Sequence, residues 1–201
     1  MIKIKFEIER KFLVKDVEFL KEISNKKMVS IEQTYLSANK FEEVRLRKKV
    51  QLNSEVFVLT VKKGTGLIRE EIETNLTKET YEELISSTNY VPLKKDRISF
   101  TYEGYFFELD LYEDLDLITI EVEFDSKENS SDFVIPNWIS VEITEDESFK
   151  NKNLWKTIQQ KNWYLSIFSL ATPNRFHINK DFCYKKTIGI LKIKETKFYK
   201  I

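Results

Sequence analysis

Glu7, Glu9 and Lys11 stand two residues apart, interleaved with the apolar Phe6, Ile8 and, one step on, Phe12. Successive side chains on a strand point to opposite sides, so the two carboxylates and the ammonium share one face of such a strand. The same arrangement recurs along the chain. Its basic members are Lys11, Arg45, Arg47, Lys62, Arg69, Lys95 and Arg97. Its acidic members are Glu7, Glu9, Glu71, Glu73, Glu108, Asp110, Glu121, Glu123 and Glu142. Within each segment the charges share parity and the opposite face is apolar.

For any single strand the ordinary explanation is a charged face turned to water over an apolar face turned to the core. Two features of the whole set favour another. Arg45/Arg47 and Lys95/Arg97 are rows of cations alone, and Glu108/Asp110 and Glu121/Glu123 are rows of anions alone. Like charges side by side repel unless something lies between them: a multivalent anion suits the cations, a hard divalent cation the carboxylates. Amphipathic helices are also available to cover the apolar face, which lets the charged face line an interior. Cations for phosphoryl groups beside carboxylates for a metal are the equipment of phosphoryl transfer.

The elements that must position these residues follow from period and punctuation. Residues 2–14, 29–37, 43–50 and 55–63 read as strands, and Gly64-Thr65-Gly66 turns the chain into a fifth carrying Arg69, Glu71 and Glu73. Residues 94–102, 105–112 and 118–124 continue the series, with a tight turn at Glu103-Gly104, and 140–144 forms a short ninth element. Asp16 opens a helix over 17–25, Thr77 caps one over 78–87, and 153–162 forms a third carrying Leu154, Trp155 and Ile158. Mostly antiparallel strands with a few helices give an α+β chain. Eight or nine such strands predict a closed barrel, since closure removes unpaired edges.

Composition narrows the function classes. The 201 residues carry 33 basic and 33 acidic side chains, a net charge of zero that provides no long-range field for nucleic acid or an anionic membrane. A lone cysteine, Cys183, gives no internal disulfide and fits a reducing compartment. A lone histidine, His177, argues against His-rich metal sites and a Ser-His or Cys-His pair. With neither an apolar signal core nor a membrane-length run, the expectation is a cytoplasmic protein with no membrane and no nucleic-acid partner. Residues 163–201 differ from the rest, with eight basic residues against two acidic ones and many aromatics but no clear period. They read as a basic, aromatic-rich extension beyond a domain of residues 1–162.

Taken in order, these segments resemble the CYTH, or triphosphate tunnel metalloenzyme, family. Glu7-Ile8-Glu9-Arg10-Lys11 matches its N-terminal Glu-x-Glu-x-Lys signature. Gln33-Thr34-Tyr35-Leu36, Arg45-Leu46-Arg47, Leu59-Thr60-Val61-Lys62-Lys63-Gly64 and Arg69-Glu70-Glu71-Ile72-Glu73 follow. After them come Lys95-Asp96-Arg97, Glu108-Leu109-Asp110, Glu121-Val122-Glu123, Glu142-Ile143-Thr144 and Lys152-Asn153-Leu154. Each piece is weak alone; their order over about residues 1–160 is specific.

The resemblance implies a closed eight-stranded antiparallel tunnel with helices packed on the outside, acting on triphosphates with Mg²⁺ or Mn²⁺. It implies Glu7, Glu9 and Glu123 as metal ligands, supported by Glu121 and Asp110. Arg45, Arg47, Lys62, Lys95 and Arg97 would grip phosphates, with Lys11 by the scissile end. Arg69 would do either job or pair with Glu71 or Glu73. Glu71, Glu73, Glu108, Glu142 and Tyr35 would support the site. The short single-domain form resembles the bacterial inorganic triphosphatases; thiamine triphosphatase and class IV adenylate cyclase share the tunnel. The partners expected are a small-molecule triphosphate and a second copy in a homodimer. Two rivals come from other classes. A non-catalytic polyphosphate or nucleotide sensor needs fewer carboxylates than are present. A lipocalin-like barrel with an apolar interior leaves the like-charge rows unexplained.

Overall fold

The computed structural model describes residues 8–39, 41–63 and 70–171. Glu7, Arg69, the Gly64-Thr65-Gly66 turn, His177 and Cys183 lie outside them, as does the extension past Ala171. The chain divides into two units, Met1–Asn162 and Trp163–Ile201.

The first unit is built on one antiparallel sheet. Its strands are β1 (Ile8–Val14), β2 (Lys27–Ala38), β3 (Glu42–Gln51), β4 (Ser54–Lys63), β5 (Glu70–Leu76), β6 (Leu93–Tyr102), β7 (Tyr105–Tyr112), β8 (Ile118–Phe124) and β9 (Ile139–Glu142). Their order across the sheet is β5-β4-β3-β2-β6-β7-β8-β1-β9. The antiparallel sheet with helices agrees with the sequence expectation. The order is nine strands with β5 and β9 at its ends, and among the described residues no ladder joins those ends.

Two hairpins show how local sequence sets the pairing. Glu103 (φ 48°) and Gly104 (φ 85°) form a two-residue turn between paired Tyr102 and Tyr105. Both central residues sit at positive φ, the geometry whose twist matches that of the flanking strands. Leu52, at φ 52°, makes the β3–β4 turn beside Asn53 and is 95% exposed.

The apolar face is covered as the strand parity requires. Phe12, Phe107, Leu109, Ile120 and Val122 are fully buried there, and each large apolar side chain so removed from water contributes about 1.5–3 kcal/mol. The helix expected over 17–25 is a single 3₁₀ turn, Glu18–Lys21. Leu20 enters the core, Phe19 stacks on Trp138 with ring centroids 3.9 Å apart, and Lys26 Nζ donates to the carbonyls of Leu20 and Ile23. Ser24 and Asn25 lie shortly past it, residues whose side chains compete with helical backbone bonding, and one turn suffices to seat Phe19 and Leu20.

Helix α1 (Lys78–Ser86) starts at the expected cap, where Thr77 Oγ1 accepts from Thr80 N at 3.2 Å. It sets Tyr81 4.8 Å from the Phe57 ring, over Leu46. A further short helix, α2 (Lys127–Asp132), is capped by Ser126.

Helix α3 (Asn151–Ala171) departs from the expected arrangement of helices outside. Its Leu154, Trp155 and Ile158 bury against Tyr35, Leu93 and Tyr112. Those three residues have the parity of the charges, so α3 packs over one end of the charged face. Among the described residues no helix is long and apolar enough to cross a membrane.

Candidate active site

The registers collect the expected residues on one face. Directly opposed residues in antiparallel strands point the same way, so the face passes from strand to strand. From β1 to β8 it passes through Glu9↔Glu123 and Lys11↔Glu121, and from β8 to β7 through Glu121↔Glu108 and Thr119↔Asp110. Arg97↔Asp110 and Lys95↔Tyr112 carry it to β6, and Ile31↔Lys95 to β2. Tyr35↔Arg45 and Gln33↔Arg47 bring in β3, Arg45↔Thr60 and Glu43↔Lys62 bring in β4, and Thr60↔Glu73 and Lys62↔Glu71 bring in β5. Every described residue of the expected set lies on this face except Glu142. That residue is opposite Phe12, before a shift in the β1–β9 register, and its oxygens take Arg10 Nη2 at 2.6 Å and Nε at 3.0 Å. Arg10 is on the apolar-face parity, 5.2 Å over the Phe12 ring. Glu142 is therefore a partner of Arg10, away from the other carboxylates.

The centre of the face is a buried ion network. Asp110, fully buried, accepts from Lys95 Nζ at 2.5 Å and from Arg97 Nε at 2.6 Å and Nη2 at 2.7 Å. Arg97 also pairs with Glu108 and reaches Glu121 at 2.9 Å. Glu121 is held from the other side by Lys11 Nζ at 3.0 Å. Burial alone would raise the Asp110 carboxyl, but Lys95 and Arg97 hold it well below the usual range. Burial opposes Lys11 and Arg97 in the same way at Glu121, whose pKa ends lowered. Burial and the neighbouring Arg97 lower Lys95 against the pull of Asp110. Glu108 is raised, chiefly by burial, with Glu121, Asp110 and Glu123 adding to it against Arg97.

Beside this network lies a cation row with few counter-charges. Arg45 Nη2 is 3.2 Å from Thr60 Oγ1 and 3.8 Å from Glu73. The Nε atoms of both Arg45 and Arg47 are buried with no hydrogen-bond partner. Burial, then repulsion from Arg45 and Arg97, pushes the Arg47 guanidinium down to about 10. A buried donor left unsatisfied costs about 1–3 kcal/mol, more when charged, so the chemistry of this row fits an anionic acceptor. At its edge Lys62 pairs with Glu71 at 2.9 Å. Tyr35 faces Arg45, and its hydroxyl pKa is raised by burial.

Several contributors were given no role in the site from the sequence. Asn151, at the start of α3, accepts from Tyr112 Oη at 2.8 Å and from Lys95 Nζ at 3.4 Å. Lys11 Nζ donates to the Phe149 carbonyl at 3.1 Å, and Lys152 pairs with Glu43 at 2.8 Å. Gln33, fully buried on the charged face, leaves Oε1 without a partner. The available signal was parity: Leu93 and Tyr112 are apolar or aromatic positions in phase with Lys95 and Asp110, which marks where a cover must dock.

For a metal, the donor chemistry fits a hard divalent ion. Glu9 and Glu123 face each other across β1–β8, so two carboxylates on one face are available to a single hard ion. Among the described residues no group of three carboxylates converges on a metal position. Asp110 and Glu121 are instead bound to Lys95, Arg97 and Lys11.

Comparison with known proteins agrees with this geometry. The CYTH domain model matches residues 5–136. An inorganic triphosphatase from Nitrosomonas europaea is 36% identical over 155 residues, 74% of this chain and 95% of that protein. An inorganic triphosphatase from Acetivibrio thermocellus is 30% identical over 153 residues, 75% of this chain and 93% of that protein. A crystal structure of an inorganic triphosphatase aligns with a TM-score of 0.57 at 31% identity, covering 77% of this chain and 95% of that one.

Proposed function

The chain belongs to the CYTH domain family, and from that premise we propose that it is a metal-dependent hydrolase that cleaves inorganic triphosphate to diphosphate and phosphate. The observation that carries this reading is the pair of buried, unpartnered Nε atoms of Arg45 and Arg47. Two guanidinium groups on one strand face match a chain of phosphoryl oxygens, and forked donors bind such oxygens in pairs. The names of the two relatives supply the substrate.

In this reading the sheet wraps into a tunnel with the charged face inward. Arg45, Arg47 and Lys62 hold the substrate on one wall and Lys95 and Arg97 on the next. Asp110 fixes the last two: it is bound to both, so their donors keep one orientation as substrate enters. Lys11, held between Glu121 and the Phe149 carbonyl, is placed to meet charge developing at the scissile end. Glu7, Glu9 and Glu123 would hold Mg²⁺ or Mn²⁺. Such an ion, when bound, neutralises phosphoryl charge and lowers the pKa of water. Water adds to phosphorus as the anhydride P–O bond breaks; the water oxygen stays on the phosphate product, its proton passes to solvent, and the diphosphate keeps the bridging oxygen as it leaves. The cell's cytoplasm, where triphosphates and Mg²⁺ are found together, is the setting this reading requires.

The test is phosphate release from inorganic triphosphate, ATP and thiamine triphosphate in parallel, with Mg²⁺, Mn²⁺ or EDTA. Cleavage of inorganic triphosphate that EDTA stops is the expected result. Cyclic AMP from the ATP sample would move the protein to the cyclase activity. Binding of triphosphate without turnover would make it a sensor.

A further inference from the structure

Lys48 and Lys49 are consecutive and point to opposite faces. Lys48 is on the outer side and pairs with Glu55 at 2.8 Å. Lys49 is on the charged face, two residues beyond Arg47, and is partly buried. Its neighbours across the ladders are Ile31 in β2, 4% exposed, and Val56 in β4. Neither carries a counter-charge. Among the described residues Lys49 makes no ion pair and no hydrogen bond. The largest charge effects on it come from Arg47, Glu73, Arg45 and Arg97, and Glu73 is already engaged by Thr60 and Arg45. Burial, followed by Arg47, lowers its pKa despite Glu73.

Its position along β3 supplies the second part of the argument. At one end of the row, Glu43 is bound to Lys152 of α3, and α3 covers that end of the face. Arg45 and Arg47 follow, then Lys49, then Gln51 and the Leu52-Asn53 turn. Lys49 is thus the last charge of the row, at the end away from α3. Four residues of strand separate it from Arg45, about 13 Å of backbone. A partly buried ammonium with no partner, repelled by three guanidinium groups, is unfavourable in the empty protein and favourable once an anion arrives.

We infer that Lys49 is a further substrate-binding residue, which takes the outermost phosphoryl group and makes the site prefer a triphosphate whose two ends are both unesterified. The inference rests on the triphosphatase reading. A free terminal phosphoryl group presents three non-bridging oxygens and more negative charge to an ammonium. An esterified one presents fewer and brings a bulky substituent to the same position. Lys49 therefore gives more to inorganic triphosphate than to a nucleoside triphosphate.

The experiment compares wild type, Lys49→Met and Lys49→Arg for hydrolysis of inorganic triphosphate and ATP, alongside thermal midpoints with each compound and with none. In Lys49→Met, KM for inorganic triphosphate rises about tenfold with kcat within about twofold, and KM for ATP changes less than about threefold. Lys49→Arg restores most of the loss. The midpoint without ligand stays the same or rises, while the upward shift produced by inorganic triphosphate shrinks. An equal rise in KM for both substrates, or none for either, overturns the inference while leaving the triphosphatase reading in place. A lower midpoint without ligand, with the triphosphate shift unchanged, makes Lys49 structural and also overturns it. Wild type that neither binds nor cleaves inorganic triphosphate overturns both.

Discussion

Arg97 and Asp110 stand opposite each other in the β6–β7 ladder, and Arg97 donates Nε at 2.6 Å and Nη2 at 2.7 Å to the two oxygens of Asp110. Lys95 donates to the same carboxylate at 2.5 Å. One buried anion thus orients two cations. The pair is no ordinary surface bridge: Asp110 and Lys95 are almost wholly out of water. Its consequence is that the protein itself holds both cations in one orientation.

Asp110→Asn should destabilise the protein by about 3–5 kcal/mol, because it leaves Lys95 and Arg97 buried with less compensation. The pH dependence has a definite sign. Lys95 and Arg97 hold the folded-state pKa of Asp110 below its ordinary value of 3.8, against burial. Below that value the unfolded chain binds more protons than the folded one, so this stabilisation is present above 3.8 and is lost as pH falls through the folded pKa. Urea unfolding from pH 2 to 6 reads it: the wild-type curve falls more steeply with acid than that of Asp110→Asn. Parallel curves would remove Asp110 from the role.

Arg47→Met separates binding from stability. Arg47 is half-buried, its Nε is buried without a partner, and it is repelled by Arg45 and Arg97. Its removal should leave the denaturation midpoint unchanged or raise it. Lost hydrogen bonds between a charged donor and a phosphoryl oxygen, about 1.5–3 kcal/mol, should weaken triphosphate binding roughly tenfold to a hundredfold. Calorimetric titration with inorganic triphosphate is the direct check. A destabilised variant with intact binding would show that Arg47 holds up the wall instead.

The charged face was legible in the sequence because period two is a geometric rule with little freedom. Once Glu9 and Lys11 are paired with Glu123 and Glu121, the parity of every later strand follows. What escaped depended on distant geometry. The register shift between Phe12 and Val14 moves Glu142 to Arg10, and no local pattern in 139–142 announces that shift. The packing side of α3 was readable in principle from Leu93 and Tyr112, whose parity places apolar surface among charges. Asn151 and the Phe149 carbonyl meet Lys95 and Lys11 across more than fifty residues of sequence, beyond any spacing argument. Lys49 continued the Arg45, Arg47 alternation and was visible, but its lack of a partner was not.

Trp155→Ala tests the cover formed by α3. Trp155 is 6% exposed, packs against Tyr35 at 5.4 Å and Tyr90 at 5.0 Å, and donates Nε1 to the Val91 carbonyl at 3.0 Å. Truncation of a buried tryptophan costs about 3–5 kcal/mol. Because the same helix carries Asn151 and Lys152, amide exchange should also speed up at its first turns. Loss of stability with unchanged exchange there would mean that the polar contacts to Tyr112, Lys95 and Glu43 hold the helix start by themselves.

Glu123→Gln and Glu9→Gln test the metal assignment through the Mg²⁺ response of stability and through turnover. Glu9 and Glu123 are directly opposed in the β1–β8 ladder. A hard divalent ion held by both carboxylates would tie the two strands together. Wild type should gain thermal stability as Mg²⁺ is added and lose the gain on EDTA, since a ligand bound to the folded chain alone stabilises it by mass action. Each variant should lose most of that response and also its metal-dependent turnover, with the fold intact by circular dichroism. The two readouts are independent: the midpoint reports the ion without any substrate. If Glu9→Gln keeps its turnover and its Mg²⁺ response, the ion is not held by this pair of carboxylates.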